Sequence, residues 1–417
     1  LNSISVKRLF LFISALSLLF IPISQGVTKK IIVKPAQFIA KIGSTSEIEG
    51  AVIADKTIVI YGNIDGAAFV RGIDASSAEK WRISLDTGRS EITTAAATDL
   101  SGNIWIVGSL SPAPVESISP SPTTTPLNPD GVVVPPITVL RSDLTSIILW
   151  QISPEGELLN RYTSDLASPI LITSMAIDKN AITFAGSVST DGGTAGIVIN
   201  SDFSGNFSKA VIIGKSDTTL DAVVRNSNGS ITATGASRET LGGKKVAGIR
   251  DGIIVAITSS GKISSVIRSS ASKAKRNWNS ATQTLFLGGE VITRKKIESA
   301  VTKFSAKYIP TWTYRFQSTG PTFTLAGPSR SYSALFVSTS KIAQLSNWNP
   351  KQPQVLILIF DSKGIISQGF SASEVKEPIA LLYSQDLGLL LLGSSAETVS
   401  IFTLTSGQFT HLVRDYL

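Results

Sequence analysis

Few residues in this chain have types and spacing that could carry chemistry. There is a single histidine, His411, and no cysteine at all. A zinc site of usual composition needs a second His or Cys, and thiol redox chemistry needs a thiol, so neither is available. His411 reads as an ordinary strand residue, and no metal or cofactor is expected. Gly242-Gly243-Lys244-Lys245 has neither the spacing nor the Ser/Thr of a phosphate cradle, and no G-x-S-x-G or G-x-G-x-x-G occurs. Three carboxylates remain: Asp217, Asp221 and Asp251. Converging on a central channel, such acids would divide acid and base work as in a glycan hydrolase or lyase. Their plainer reading is turn chemistry at strand entrances.

The stronger chemical signal is positive charge, because Lys and Arg number 38 against 30 Asp and Glu, a formal excess of +8. It gathers in three short stretches: Arg238, Lys244, Lys245 and Arg250; then Lys273, Lys275 and Arg276; then Arg294, Lys295 and Lys296, with Trp278 and Trp348 nearby. Cations beside aromatics suit an anionic partner such as a wall polymer, an acidic glycan or a phosphate-bearing lipid surface, bound in a salt-dependent way. The plain alternative is a solvated rim that only aids solubility.

What positions these residues is a repeated hairpin. Ala95 to Ser109 shows the plan: a short apolar run, an Asp99-x-x-Gly102-Asn103 turn, then Ile104 to Val107 leaving into Gly108. Hydrophobic residues make up 42% of the 417 and charged ones only 16%, enough for a large core. Val, Ile, Thr and Phe recur in runs of strand length and no amphipathic helix stands out, so the class is all-β. Second strands close on Gly62, Gly108, Gly186, Gly235, Gly288 and Gly393, a spacing that suits the blades of a β-propeller. Middle strands such as Ile104 to Val107, Leu356 to Phe360 and Leu389 to Leu392 are apolar at consecutive positions, as strands buried on both faces must be. We expect seven four-stranded blades, with six or eight as alternatives. Gln408 to Val413 is read as the outer strand of the seventh, and residues 31 to 43 as a strand added where the ring closes.

The motif Asp99-x-x-Gly102-Asn103-Ile104-Trp105-Ile106-x-Gly108 resembles the repeat of secreted and sensor-type bacterial β-propeller-repeat proteins. Asp178, Asn228-Gly229 and Asp386-Gly388 echo it. The resemblance implies a binding or scaffolding role and brings no catalytic residues. Trp81 and Trp312 in outer strands also prompt comparison with quinoprotein dehydrogenases, which carry such a Trp in most blades. Only two blades show one here, which points to core packing.

Two segments stand outside the ring. Lys7 and Arg8 followed by the apolar run Leu9 to Ile23 read as an export signal ending near residue 26. That run is shorter than the ~20 residues of a bilayer-spanning helix, so removal is favoured over retention as an anchor. Leu1 suits a bacterial alternative start codon. Leu110 to Thr145, with eight prolines, is expected to be an extended insertion in the second blade. Domain organisation is therefore 1–26 signal and 27–417 propeller.

In a propeller the connections from strand two to three, and from strand four onward, share one face. The excursions Leu110 to Thr145, Ala236 to Asp251, Glu290 to Ser299, Thr339 to Gln354 and the linker 270–277 would all lie there, carrying the basic residues. The sequence-level expectation is thus a monomeric, non-enzymatic binding module, secreted or held at the bacterial envelope. Its partner would be an envelope polymer, glycan or protein, with no nucleic acid, and membrane contact only through an uncleaved N-terminal segment. The alternative is a hydrolase or lyase with channel carboxylates.

Overall fold

The computed structural model describes residues 30–112 and 140–404. The expected signal (1–26), most of the Pro-rich insertion, His411 and Gln408 to Val413 lie outside them. Within them the protein is all-β: five four-stranded antiparallel sheets and one nine-stranded sheet. The first comprises Ile48–Ala54, Thr57–Ile64, Ala67–Ile73 and Glu79–Ser84. The second, Glu91–Thr98, Ile104–Leu110, Ser146–Ile152 and Leu158–Asp165, contains the hairpin read from the sequence. The third runs Ile170–Ile177, Ile182–Thr190, Gly193–Ser201 and Val211–Ile213, and the fourth Thr218–Arg225, Ile231–Ser237, Asp251–Ile257 and Ile263–Ser269.

The nine-stranded sheet is two such units in lateral contact. Its near half is Lys275–Ala281, Phe286–Ile292, Ile297–Phe304 and Pro310–Ser318. Its far half is Phe323–Ala326, Tyr332–Ser338, Gln354–Phe360 and Ile366–Ala372. A single pair, Ser318 with Ser338, joins them. The last sheet has Glu377–Ser384, Gly388–Ser395 and Thr398–Thr403. First strands of successive units contact one another in order, and Glu377–Ser384 returns to Ile48–Ala54, so they close a ring in the manner of a β-propeller.

Burial follows from that stacking. Every residue of Ile104–Leu110 and of Asp251–Ile257 is buried, whereas the outer strand Leu158–Asp165 is largely exposed. Outer-strand aromatics pack on the turn of the next unit: Trp81 on Gly156, Tyr162 on Gly205 and Trp312 on Gly364. A β-carbon at Gly205 would lie 2.0 Å from the Tyr162 ring, so each contact needs a residue with no side chain. Trp81 and Trp312 serve this packing. The template turn caps itself, since the Asp99 carboxylate accepts the N–H groups of Ser101 and Asn103 and the Trp105 indole N–H at 2.9 Å.

Three expectations change. The fourth strand of the last sheet is Gln37–Ser44, pairing antiparallel with Thr398–Thr403, so the place assigned to Gln408 to Val413 is filled from the N-terminus. A strand from one chain end on the edge left by the other ties the ring shut, while Val33–Pro35 pairs in parallel with Ile366–Ala372. The expected excursion Glu290 to Ser299 shrinks to 293–296, because both flanking strands extend further into it. The linker read as 270–277 ends at 274, because Lys275 already belongs to an inner strand.

Candidate functional site

The loop 238–250, the linker 270–274 and the turn 293–296 lie at the same end of adjacent units, since all connect second to third strands or one unit to the next. They are held by buried polar anchors. Asp251 accepts the N–H groups of Ala247 and Gly248 at 2.9 Å each, and pairs with Arg268 at 3.1 Å, both side chains buried. Arg268 in turn donates to the carbonyls of Lys244 at 3.1 Å and Glu239, pulling the loop over its own outer strand. The Ile249 N–H donates to Ala274 O and the Arg276 N–H to Arg250 O, joining loop to linker.

The acids that anchor these loops are already committed. Burial alone would raise Glu239, but the Thr218 hydroxyl and the N–H groups of Asp217, Ser216 and Lys215 all donate to it and hold it down at about 2. Asp217 pairs with Arg238 at 3.3 Å and Arg250 at 3.4 Å. Burial likewise pushes Asp251 up, and its backbone donors and Arg268 more than reverse that. These carboxylates fix the loops and are spent on internal partners.

The residues singled out from sequence divide into two groups. Lys244, Lys245, Lys273, Arg294, Lys295 and Lys296 are exposed. Lys244 donates to Val266 O at 2.7 Å and Lys296 pairs with Glu298 at 2.7 Å. Lys245, Lys273, Arg294 and Lys295 have no ion pair among the described residues. The second group is buried or half-buried, where a binding surface calls for exposed side chains. The Arg276 guanidinium lies 4.3 Å from the centre of the Trp278 ring, and burial followed by the nearby Arg315 lowers it to about 10 despite Asp251. Trp278 is fully buried and meets Phe304 edge-on. Trp348 is buried with its indole N–H on Ser338 Oγ at 3.2 Å, Arg250 braces Asp217 and Thr219, and Lys275 is half-buried at its strand start. Sequence reasoning missed Ile249, 46% exposed among the lysines. Its only signal was one apolar residue between Gly248 and Arg250.

Of the candidate channel acids, Asp217 and Asp251 are ion-paired anchors. Asp221 differs: it is the extra residue of a bulge in the inner strand, raised by burial against the lowering effects of a hydrogen bond from Asn277 and of Arg250. Glu290 is raised by burial and by Asp221. Among the described residues no group of three His, Cys, Asp or Glu side chains could hold a metal ion. Recesses of about 30 Å³ beside Tyr383 and about 300 Å³ beside Phe38 lie by the far half and the last sheet, away from these acids.

No protein-family model matches the chain, and no curated protein does. Among solved structures it is similar to the uncharacterized protein lmo1340 of Listeria monocytogenes (11% identity, 87% of this chain and 92% of that one, TM-score 0.45). It is also similar to the WD40 domain of Toxoplasma gondii coronin (9%, 91% and 90%, TM-score 0.49). A Synechocystis apocarotenoid oxygenase gives 11% identity over 77% and 70%, with TM-score 0.44. None of these similarities transfers a residue role.

Proposed function

We propose that the chain is an exported, non-enzymatic seven-bladed β-propeller that binds an anionic partner at the bacterial cell envelope through its basic loop face. Counting each half of the nine-stranded sheet as a blade supports seven. Export is supported by Lys7, Arg8 and the apolar run to Ile23. The observation that carries the binding role is that Lys245, Lys273, Arg294 and Lys295 stand exposed on anchored backbone whose neighbouring acids are consumed internally. Backbone held in place beforehand adds little to the ordering cost when an anion arrives.

Capture of native envelope polymer at rising ionic strength tests this. Binding should fall steeply with salt, and replacing Lys245, Lys273 and Lys295 by Glu should abolish it without moving the melting temperature. Capture that ignores both salt and the triple replacement would sink the reading.

An enzymatic reading rests on a different pair, Asp221 and Glu290, the two carboxyls here raised by burial rather than lowered by partners. It requires glycan cleavage that disappears in Asp221→Asn and in Glu290→Gln.

A further inference from the structure

We infer that the tight-turn end of the near and far halves docks on a membrane, its partner being the headgroup plane of an anionic lipid bilayer. This end is opposite the basic loop face, and the inference stands whether or not that face binds.

The first support is a repeated turn. Residues 305–309 of the near half and 361–365 of the far half each connect a third strand to a fourth. The Ser305 N–H donates to Ile309 O and the Asp361 N–H to Ile365 O, both at 2.9 Å, so the two turns share one frame. Each sets a lysine two residues before an isoleucine, Lys307 with Ile309 and Lys363 with Ile365. All four side chains are exposed, the isoleucines at 60% and 59%. The turns are neighbours, because Trp312 of the near half packs on Gly364 and the Tyr314 hydroxyl donates to Gly364 O at 2.9 Å. The one acid in these turns, Asp361, accepts the N–H groups of Lys363 and Ile365 at 2.8 Å each. Hydrogen-bonded backbone therefore holds two isoleucines in water beside two cations.

The second support is where the described chain begins. Val33–Pro35 runs parallel to Ile366–Ala372 with Val33 opposite Gly369. Continued backward, that register brings Lys30 level with Ile366, next to the far-half turn. Ile31 is pinned on the way, its N–H donating to Gln344 O at 2.9 Å and its carbonyl accepting the Ser346 N–H at 3.0 Å. Lys30, Ile32 and Lys34 stand at alternate positions of this segment and are exposed, Ile32 at 64%, which repeats the pairing of cation with isoleucine seen in the turns. Residues 24–30 can span at most about 25 Å. While the apolar run Leu9 to Ile23 is attached, any bilayer it enters lies within that reach of the tight-turn end.

Composition agrees with that occupant. Apolar side chains flanked by cations suit a headgroup boundary, where the apolar part enters the acyl edge and each cation meets lipid phosphates. Exposed Lys262 and Ile263 add a further pair at the matching turn of the fourth sheet, so the pairs follow a rim across adjacent units instead of lining one groove. A rim meets a plane, whereas a peptide needs a groove. Exposed Asp55, Glu155, Glu157 and Asp202 occupy the same end on the first three sheets. An anionic surface repels that side, so the ring seats tilted, with the near and far halves down.

The chain has no cysteine, so single labels report the docking directly. Full chain carrying Ile309→Cys, Ile365→Cys or, on the opposite face, Ile249→Cys (46% exposed in the native chain) is labelled with an environment-sensitive fluorophore. Each is reconstituted with phosphatidylcholine vesicles containing or lacking phosphatidylglycerol. The labels at 309 and 365 should shift to the blue and resist aqueous quencher with the anionic lipid, and less so as salt rises. The label at 249 should not respond. Lys307→Ala with Lys363→Ala should lower the ratio of protected to quenched label at 365 roughly 25-fold, at roughly fivefold per cation, with the melting temperature unchanged. No shift at 309 and 365, an equal shift at 249, or an equal shift with phosphatidylcholine alone overturns the inference. So does a shift that needs no vesicles and grows with protein concentration, which would make a second copy of the chain the occupant.

Discussion

A β-carbon added to Gly235 would lie 2.0 Å from the carbonyl oxygen of Thr219 on the neighbouring inner strand. The contact sits beside the bulge at Asp221, which bends the inner strand into its partner. Gly62 meets Glu47 O, Gly108 Ile92 O, Gly186 Leu171 O and Gly289 Asn277 O in the same way, each next to an inner-strand bulge. The inner strand of the far half has no bulge, and its second strand Tyr332–Ser338 has no glycine. The glycine period is therefore the trace of a repeated bulge. Gly235→Ala should cost about 1–3 kcal/mol, read as a lowered melting temperature. Gly320→Ala, where nothing lies within 4 Å, should be nearly silent.

The N-terminal strand carries the stability first sought at the other end of the chain. Deleting residues through Ser44 strips the partner from Thr398–Thr403 and uncovers Val399, Ile401 and Phe402. Such an unpaired apolar edge invites aggregation. Size-exclusion chromatography should show aggregate in place of the parent's peak, while truncation after Thr405 leaves that pairing intact and should elute as the parent does. The parent's peak in the first and aggregate in the second would reverse the assignment.

The ring was legible because stacking forces consecutive apolar residues into middle strands and the bulge forces glycine at one position. Gly288 and Gly289 stand side by side, so spacing alone could not say which faces the bulge. Closure by Gln37–Ser44 depends on pairing between the two ends of the chain, which local pattern does not encode. Arg276 and Trp278 looked like a basic surface because Trp278 is the one buried residue of the inner strand Lys275–Ala281, and one buried Trp among Lys, Arg, Asn and Ser gives little apolar period. The lysines of the candidate site were found by composition, whereas Ile249 needed the loop's hydrogen bonds to show that it is held outward.

Glu239 gives a pH signature for the loop anchor. Its folded carboxyl lies at about 2 against an ordinary 4.5, so its contribution is present above the ordinary value and is lost as pH falls between the two. Glu239→Gln should melt below the parent at neutral pH, with the gap narrowing from pH 4.5 toward 2. A gap independent of pH would mean that packing, not charge, holds the loop.

Asp221 should behave in the opposite sense. Its Oδ2 and the Oδ1 of Asn277 are both buried oxygens without a donor, although the two side chains are hydrogen-bonded to each other. A proton on Asp221 Oδ2 would satisfy both at once, closing an acid–amide ring in which Asn277 Nδ2 donates to Asp221 Oδ1 and Asp221 Oδ2 donates to Asn277 Oδ1. Burial favours protonation, the hydrogen bond from Asn277 and the charge of Arg250 oppose it, and the balance raises the carboxyl. A raised acid contributes stability that is complete below its unfolded value and lost as pH climbs through the folded one. Asp221→Asn keeps both hydrogen bonds and carries no charge, so it should match the parent at acid pH and melt increasingly above it as pH rises. Asn277→Asp places a second carboxyl in the same seam and should melt below the parent at neutral pH. An Asp221→Asn variant that loses stability at every pH would show that the ionised carboxylate, paired with Arg250, is what holds the fourth sheet to the near half.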